Sequence, residues 1–574
     1  LQLSFAPHVR DFVKAPFMLA ALAGIVALVT RRTLAGAWPL AAGLGVAIGV
    51  GLGFRMDVMV MLPLAVVSVA AFAGGRPWRA LRDKGLVIAV LLLTASMSAW
   101  PVWSRLSSGG SNSYHVVLLG YADGFDTRLG IERASYSYLP FYSDEHLRHL
   151  LRVRVASETG EDVDMPSVAY NAAAFDLWRE WVRHFPADAY ARLLAAANGV
   201  LSLGVEDSRL PEVWGRGWGW MFGAGAIMTA ALSGPVPALF TAFLLLAIAG
   251  YPSLQFDPRH YFHLQAIPIA IGVTLGWHGL RAMATAARSR GDAPPGGSPA
   301  WWRPQSGLLA TGLLVVALVV VPVPVLRAWQ SHHLTGTVSA FLDETPRSPM
   351  PVTFDTVPGG RVRAHWPMVE GRQTTLPGVR AAYYVAEFRA DEAETAMAIG
   401  LRYAEGPQWA PCAVTRAIVT GPGVVRFAFP VTSVDDAFRF DGLELGPEMQ
   451  RRLVGVSRVE AGPAGLPMEW HLAADWPARR LTQRLVSEER LAADDTSPGV
   501  FAESERCGSR LPFVDATLDQ RLGVRGDALA FSDPETTRVT DEGLVVAGAP
   551  DGVDLTFARF APVRLDAGDA VVVD

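Results

Sequence analysis

About eight apolar runs crowd the first 330 residues of this chain, and no comparable run follows them. They fall at 15–30, 38–54, 58–72, 86–103, 218–232, 236–250, 261–280 and 307–326. A spanning helix needs roughly 20 mostly apolar residues. The pattern therefore predicts a membrane α-helical bundle of about eight spans over residues 1–330, interrupted by one long polar loop, 105–217. Pro235 and Pro237 stand where two runs meet, as a tight interhelical turn requires.

Composition narrows the remaining classes. With 18% charged residues in 574, the chain is too poor in charge for an ordinary soluble enzyme. Aromatic residues at 10% argue against disorder, and two cysteines against a small disulfide scaffold. A net charge of −5 offers no basic footprint for nucleic acid. The chain opens at Leu1 and ends just after an apolar run, 570–573, so it reads as a piece of a longer protein.

Orientation follows from arginine placement. Arg31 and Arg32, then Arg76, Arg79, Arg82 and Lys84, then Arg281, Arg288, Arg290 and Arg303 follow alternate spans, and such loops face the cytoplasm. Residues 1–14, the turn at 55–57, the loop 105–217, the segment 251–260 and the whole C-terminal region then lie on the opposite side. This predicts a multi-pass membrane protein whose remaining loops are extracytoplasmic.

Two short segments on that side concentrate chemistry. Arg55-Met-Asp57 sits between two apolar runs, where charges must reach water, pair or bind something. It reads equally as a polar turn or as an anion site, with Arg55 on a headgroup and Asp57 orienting it. The segment 251–263 gathers Asp257, Arg259, His260 and His263 among aromatic residues. The aromatics alone would make an interfacial belt, but a planar guanidinium beside imidazoles suits a phosphate.

The loop 105–217 is rich in Tyr, Asp and His. Carboxylates and rings suit sugar recognition, though each also suits an ordinary folded loop. Asp123, Asp126, Asp144 and His146 could hold a divalent metal ion, but their spacing matches no ligand motif. Phe175, Trp178, Val182 and Phe185 recur at helical steps, so 171–185 and 189–203 read as helices along the membrane face.

After residue 325 short β-type runs separated by Gly, Pro and Asp predict an all-β extracytoplasmic sandwich at 350–490 and the start of a second β-domain at 510–574. Trp366, Trp409, Trp470 and Trp476 fit a sandwich core better than sugar-stacking positions. Cys412 and Cys507 both fall on the outer side, with no pairing legible.

The layout, together with Gly51-Leu-Gly-Phe-Arg-Met-Asp57 and Gln255-Phe-Asp-Pro-Arg-His-Tyr-Phe-His-Leu264, resembles the GT-C superfamily of integral-membrane glycosyltransferases. The resemblance covers roughly residues 1–330. It implies a polyprenyl-phosphate-linked sugar donor, a glycan, lipid or protein acceptor, membrane lipids as surroundings and basic residues on the lipid phosphate. It also implies an acidic residue in the first outer loop that activates the acceptor hydroxyl. Asp11 is the candidate carboxylate and Arg10 a candidate phosphate contact, although charged residues just outside a span are common; Asp57 is a second candidate acid. Two alternatives remain open: a transporter or flippase of a lipid-linked sugar, which would need polar residues deep in the spans, and a non-catalytic membrane-anchored glycan-binding protein.

Overall fold

The computed structural model describes most of residues 13–485, with the longest interruptions at 203–217, 290–301, 368–378, 405–411, 461–469 and 475–480, and short strands between 529 and 571.

The chain begins with α1 (Lys14–Val29), α2 (Trp38–Phe54), α3 (Met61–Phe72), α4 (Pro77–Ser98) and α5 (Trp100–Gly109). α2 lies close on α4 because Gly45 and Gly49 face it. A Cβ at Gly49 would stand 2.5 Å from the Ala95 carbonyl oxygen, and one at Gly45 would stand 2.5 Å from that of Leu91. Small residues four apart are how apolar helices bring backbones together.

The long loop folds into α6 (Ser113–Leu119), α7 (Gly124–Leu129), α8 (Asp144–Thr159), α9 (Val168–His184) and α10 (Pro186–Leu201). Ser167 caps α9 by accepting the Tyr170 amide, and Pro186 both closes α9 and opens α10 at its first position. Then come α11 (Trp218–Ala231), α12 (Pro235–Gly250), the short α13 (Pro258–Tyr261), α14 (Ala266–Ser289), α15 (Trp302–Val320) and α16 (Pro322–Glu344).

The expected count of about eight spans is not met. Among the described residues two helical stretches are long and apolar enough to cross a membrane, Pro235–Leu254 and Gly307–Glu344. Hydropathy finds apolar runs, but several of these runs, and the helices they form, are too short for a span. α1 has 16 residues and α3 has 12, or about 24 and 18 Å at 1.5 Å per residue, against a hydrocarbon core of about 30 Å. α4 is long enough, but Arg79, Arg82, Asp83 and Lys84 occupy its first turns. The run at 307–326 continues well past its apolar end to Glu344.

The expected all-β domain also differs in make-up. Two antiparallel sheets share one core. The five-stranded sheet runs Thr353–Val357, Arg361–His365, Arg439–Leu445, Thr395–Ala404, Cys412–Thr420. The six-stranded sheet runs Tyr136–Ser137, His471–Ala474, Gly423–Val434, Val379–Ala390, Leu453–Val459, Arg347–Met350. Trp366, Tyr384, Phe388, Leu401, Phe429, Phe440 and Leu443 fill the space between them, along with Met449 of the short α17 (Pro447–Arg452).

The six-stranded sheet is not built from the C-terminal half alone. Its edge strand, Tyr136–Ser137, comes from the loop 105–217 and pairs with His471–Leu472. A second loop strand, Ile131–Glu132, pairs with Arg484–Leu485. The outer side of this sheet joins the core of the helical half through Tyr383, Val385, Leu472 and Trp470, against Leu334, Val338 and Phe341 of α16. Further on, six short strands between Leu529 and Val571 form two three-stranded sheets.

Candidate functional site

α2 ends where Arg55 turns extended, with φ −152° and ψ 129°. A 3-10 turn, Met56–Val60, follows, and Val58 is its buried anchor. This turn brings Asp57 back onto the first residue of α1. The fully buried Lys14 ammonium donates to Asp57 Oδ2 at 2.7 Å and to the His260 backbone carbonyl at 3.1 Å. Arg55 Nη2 stands 3.5 Å from the same carboxylate oxygen, and His260 Nδ1 stands 3.7 Å from it.

The second segment reaches this place through two prolines. Pro252 and Pro258 break the helix after α12 into a 3-10 turn, Tyr251–Leu254, and the short α13. Phe256 and Tyr261 stack at 4.7 Å between ring centroids. The outer loop presses on the turn at Gly120, where a Cβ would fall 1.6 Å from the Leu254 carbonyl oxygen, so only glycine fits. The Tyr251 hydroxyl donates to the His260 carbonyl at 3.0 Å and lies 3.3 Å from His263 Nε2.

Electrostatics assigns these groups different tasks. Burial by itself would raise the Asp57 carboxyl, but the nearby His260 imidazole and the charges of Lys14 and Arg55 outweigh it and hold Asp57 far below the ordinary carboxylate range. A carboxylate bound this firmly is a poor proton acceptor, so Asp57 suits orienting work. His263 is pushed down to about 3, first by burial and then by Lys14 and His260, against the pull of Asp57. It is a neutral imidazole near pH 7, able to offer one hydrogen bond without charge. Its Nδ1 is buried and has no hydrogen-bond partner among the described residues.

Four of the residues singled out from the sequence thus converge: Arg55, Asp57, His260 and His263. Arg259 stands on the same short helix as His260. Arg10, Asp11 and Asp257 lie outside the described residues. Sequence reasoning missed Lys14 and Tyr251 as polar partners. Lys14 carried a signal, being one of only two lysines in a chain of 50 basic residues and standing at the head of an apolar run.

Two of the residues considered for a metal in the outer loop, Asp126 and Asp144, are engaged separately, and the His146 side chain lies outside the described residues. Asp126 pairs with Arg192, both almost fully buried, and also accepts from the Gln483 amide at 3.0 Å. Asp144 binds His115 Nε2 at 2.9 Å, and the Tyr170 hydroxyl meets His115 Nδ1 at 2.6 Å. Among the described residues no three His, Cys, Asp or Glu side chains gather where they could hold a metal ion; Asp123 lies outside them. Trp366 and Trp470 are buried core residues rather than exposed stacking platforms, while Trp409, Trp476 and Cys507 lie outside the described residues.

Comparison of the chain with protein-family models, with curated proteins and with solved structures gives no match.

Proposed function

We propose that this chain is a membrane-associated glycosyltransferase that moves a sugar from a polyprenyl phosphate to an acceptor hydroxyl. The observation that carries the reading is the convergence of Arg55 and Asp57 with His260 and His263, two segments about 200 residues apart, beside a buried lysine at the ends of apolar helices. A guanidinium, an imidazole and a neutral hydrogen-bonding ring are groups that stabilise a phosphate leaving group. Asp57 orients Arg55 and His260 toward it.

In this reading Arg55, Arg259 and His260 hold the lipid phosphate. The bond between the anomeric carbon and the phosphate oxygen breaks, and its electron pair goes to the phosphate. A new bond forms to the acceptor oxygen, whose proton passes to a carboxylate. Asp11, three residues before Lys14 in the chain, is that carboxylate.

Membrane association is supported by the two long apolar helices and by a broad apolar surface. Leu93 and Met97 of α4, Trp100 of α5, Val273 of α14, and Leu313 and Leu314 of α15 are all at least 60% exposed, which is costly in water and ordinary in lipid.

The test is release of sugar from a polyprenyl-phosphate donor by the whole protein in membranes. Arg55→Ala and His260→Ala are expected to lower turnover by a factor of about 100 or more, as loss of a transition-state charge contact does. Asp57→Asn is expected to lower it less. Unchanged turnover in all three overturns the site.

A further inference from the structure

The outer loop, α16 and the six-stranded sheet meet along one seam, and two imidazoles touch within it. His184, the last residue of α9, places Nδ1 3.3 Å from Nε2 of His333 on α16, and the two rings stack at 5.4 Å. Trp329 stacks on the other face of the pair, 5.1 Å from His333. Trp470 from the sheet side sets its edge against His184 at 5.4 Å, and Phe185 packs on the same indole at 4.3 Å.

A buried polar clamp adjoins the pair. The fully buried Asp188 of α10 accepts from the Tyr136 hydroxyl at 2.5 Å, from the Gln330 amide at 3.0 Å and from the Gln483 backbone N–H at 3.0 Å. Gln330 lies three residues before His333 on α16. The histidine pair therefore sits where three separate parts of the chain are held together.

Two imidazoles in contact need a lone pair on one nitrogen and a proton on the other. When both rings are protonated, both nitrogens carry hydrogens and two positive charges stack. We propose that the His184–His333 pair is an acid-sensitive latch, which holds the outer loop on α16 and the C-terminal sheet near neutral pH and loosens that seam in mild acid. This goes beyond the transferase reading and does not depend on it.

The charged surroundings agree with the direction. Burial pushes His184 below the ordinary imidazole value; Glu180 pulls the other way, and His333 and Arg183 push down again. Glu180 is itself engaged by Arg154 of α8 at 2.7 Å. On α16 the exposed His332 precedes His333 in sequence, Asp188 of α10 is bonded to Gln330 three residues before His333, and the sheet side meets the pair with the Trp470 indole. An open seam therefore takes up the proton before the closed one does, and acid favours opening.

Hydrogen–deuterium exchange of the whole protein in detergent, at pH 7.5 and 5.5 and corrected for intrinsic rates, tests this. In the unaltered protein, exchange in α9 and in His471–Ala474 is expected to rise about tenfold at pH 5.5, one unit below the ordinary imidazole value. The double variant His184→Phe, His333→Phe keeps the ring stack without a titrating group and is expected to lose that rise. If the double variant fails to fold, His184→Gln with His333→Gln serves, because the two amides can still meet and neither takes a proton. No rise in the unaltered protein overturns the proposal. So does a full rise that persists in the variant, since it assigns the acid response to Asp188 or Glu180.

Discussion

The Lys14 ammonium lies 2.7 Å from the Asp57 carboxylate, with the lysine fully buried and the aspartate side chain about one-quarter exposed. This contact joins the first turn of α1 to the turn after α2, and the same ammonium holds the backbone of His260. One side chain thus ties together three segments of the candidate site.

Removing Lys14 should therefore cost more than a surface charge would. Lys14→Met leaves Asp57 in a mostly buried place without its closest cation, and a loss of about 3 kcal/mol is expected. Lys14→Met combined with Asp57→Leu should recover part of that loss, because neither charge then remains. Denaturant unfolding of the unaltered protein and of the two variants in detergent measures both. A double variant no better than Lys14→Met alone would refute the pairing.

Stability should fall in mild acid through His263. Its folded value of about 3 lies below the ordinary 6.5, so the unfolded chain takes the proton first. The contribution is fully present above pH 6.5 and is lost progressively as pH falls toward 3, by about 1 kcal/mol between pH 6.5 and 5.5. His184, also shifted down, acts in the same direction. Melting curves of His263→Gln across this range should be flatter than those of the unaltered protein. Asp57, held low, adds its own loss only below the ordinary carboxylate range.

Gln330 donates to Asp188 at 3.0 Å and to the Leu481 carbonyl at 2.9 Å, and accepts the Ala187 N–H at 2.9 Å. Gln330→Leu leaves the Ala187 N–H and the Leu481 carbonyl without this partner and takes one donor from a buried carboxylate. The expected cost is about 3 kcal/mol, read as a lower denaturant midpoint at unchanged slope.

Gly120→Ala would drive a methyl group into the Leu254 carbonyl. Because that backbone cannot give way without moving the segment that carries His260 and His263, a loss of about 2 kcal/mol is expected. Donor turnover should fall with it. Normal turnover at normal stability would show that the loop 105–217 does not support the site.

Much of the local chemistry was legible in the residues. The apolar runs, the change in character near residue 330 and the two charged segments at 55–57 and 251–263 can be read without coordinates. The helix Val168–His184 announces itself by spacing, and Pro186 by ending it. Lys14 was harder to see, because nothing in its neighbourhood reveals that Asp57 and His260 will lie beside it. The span count was misread because apolar runs shorter than about 20 residues were counted as spans; α1 and α3 stop short of a membrane's thickness, and α4 begins with four charges.

The sequence by itself determined which stretches are apolar, which form strands and where titratable groups cluster, since these depend on side-chain type and short-range periodicity. The tertiary structure decided which clusters meet. Asp57 finds Lys14 and His260 only when α1, α2 and the segment after α12 pack together. Tyr136 and Ser137 become the edge of a sheet whose other strands begin more than 200 residues later. Such pairings are chosen by burial and hydrogen bonding between distant segments, and local pattern carries no record of them.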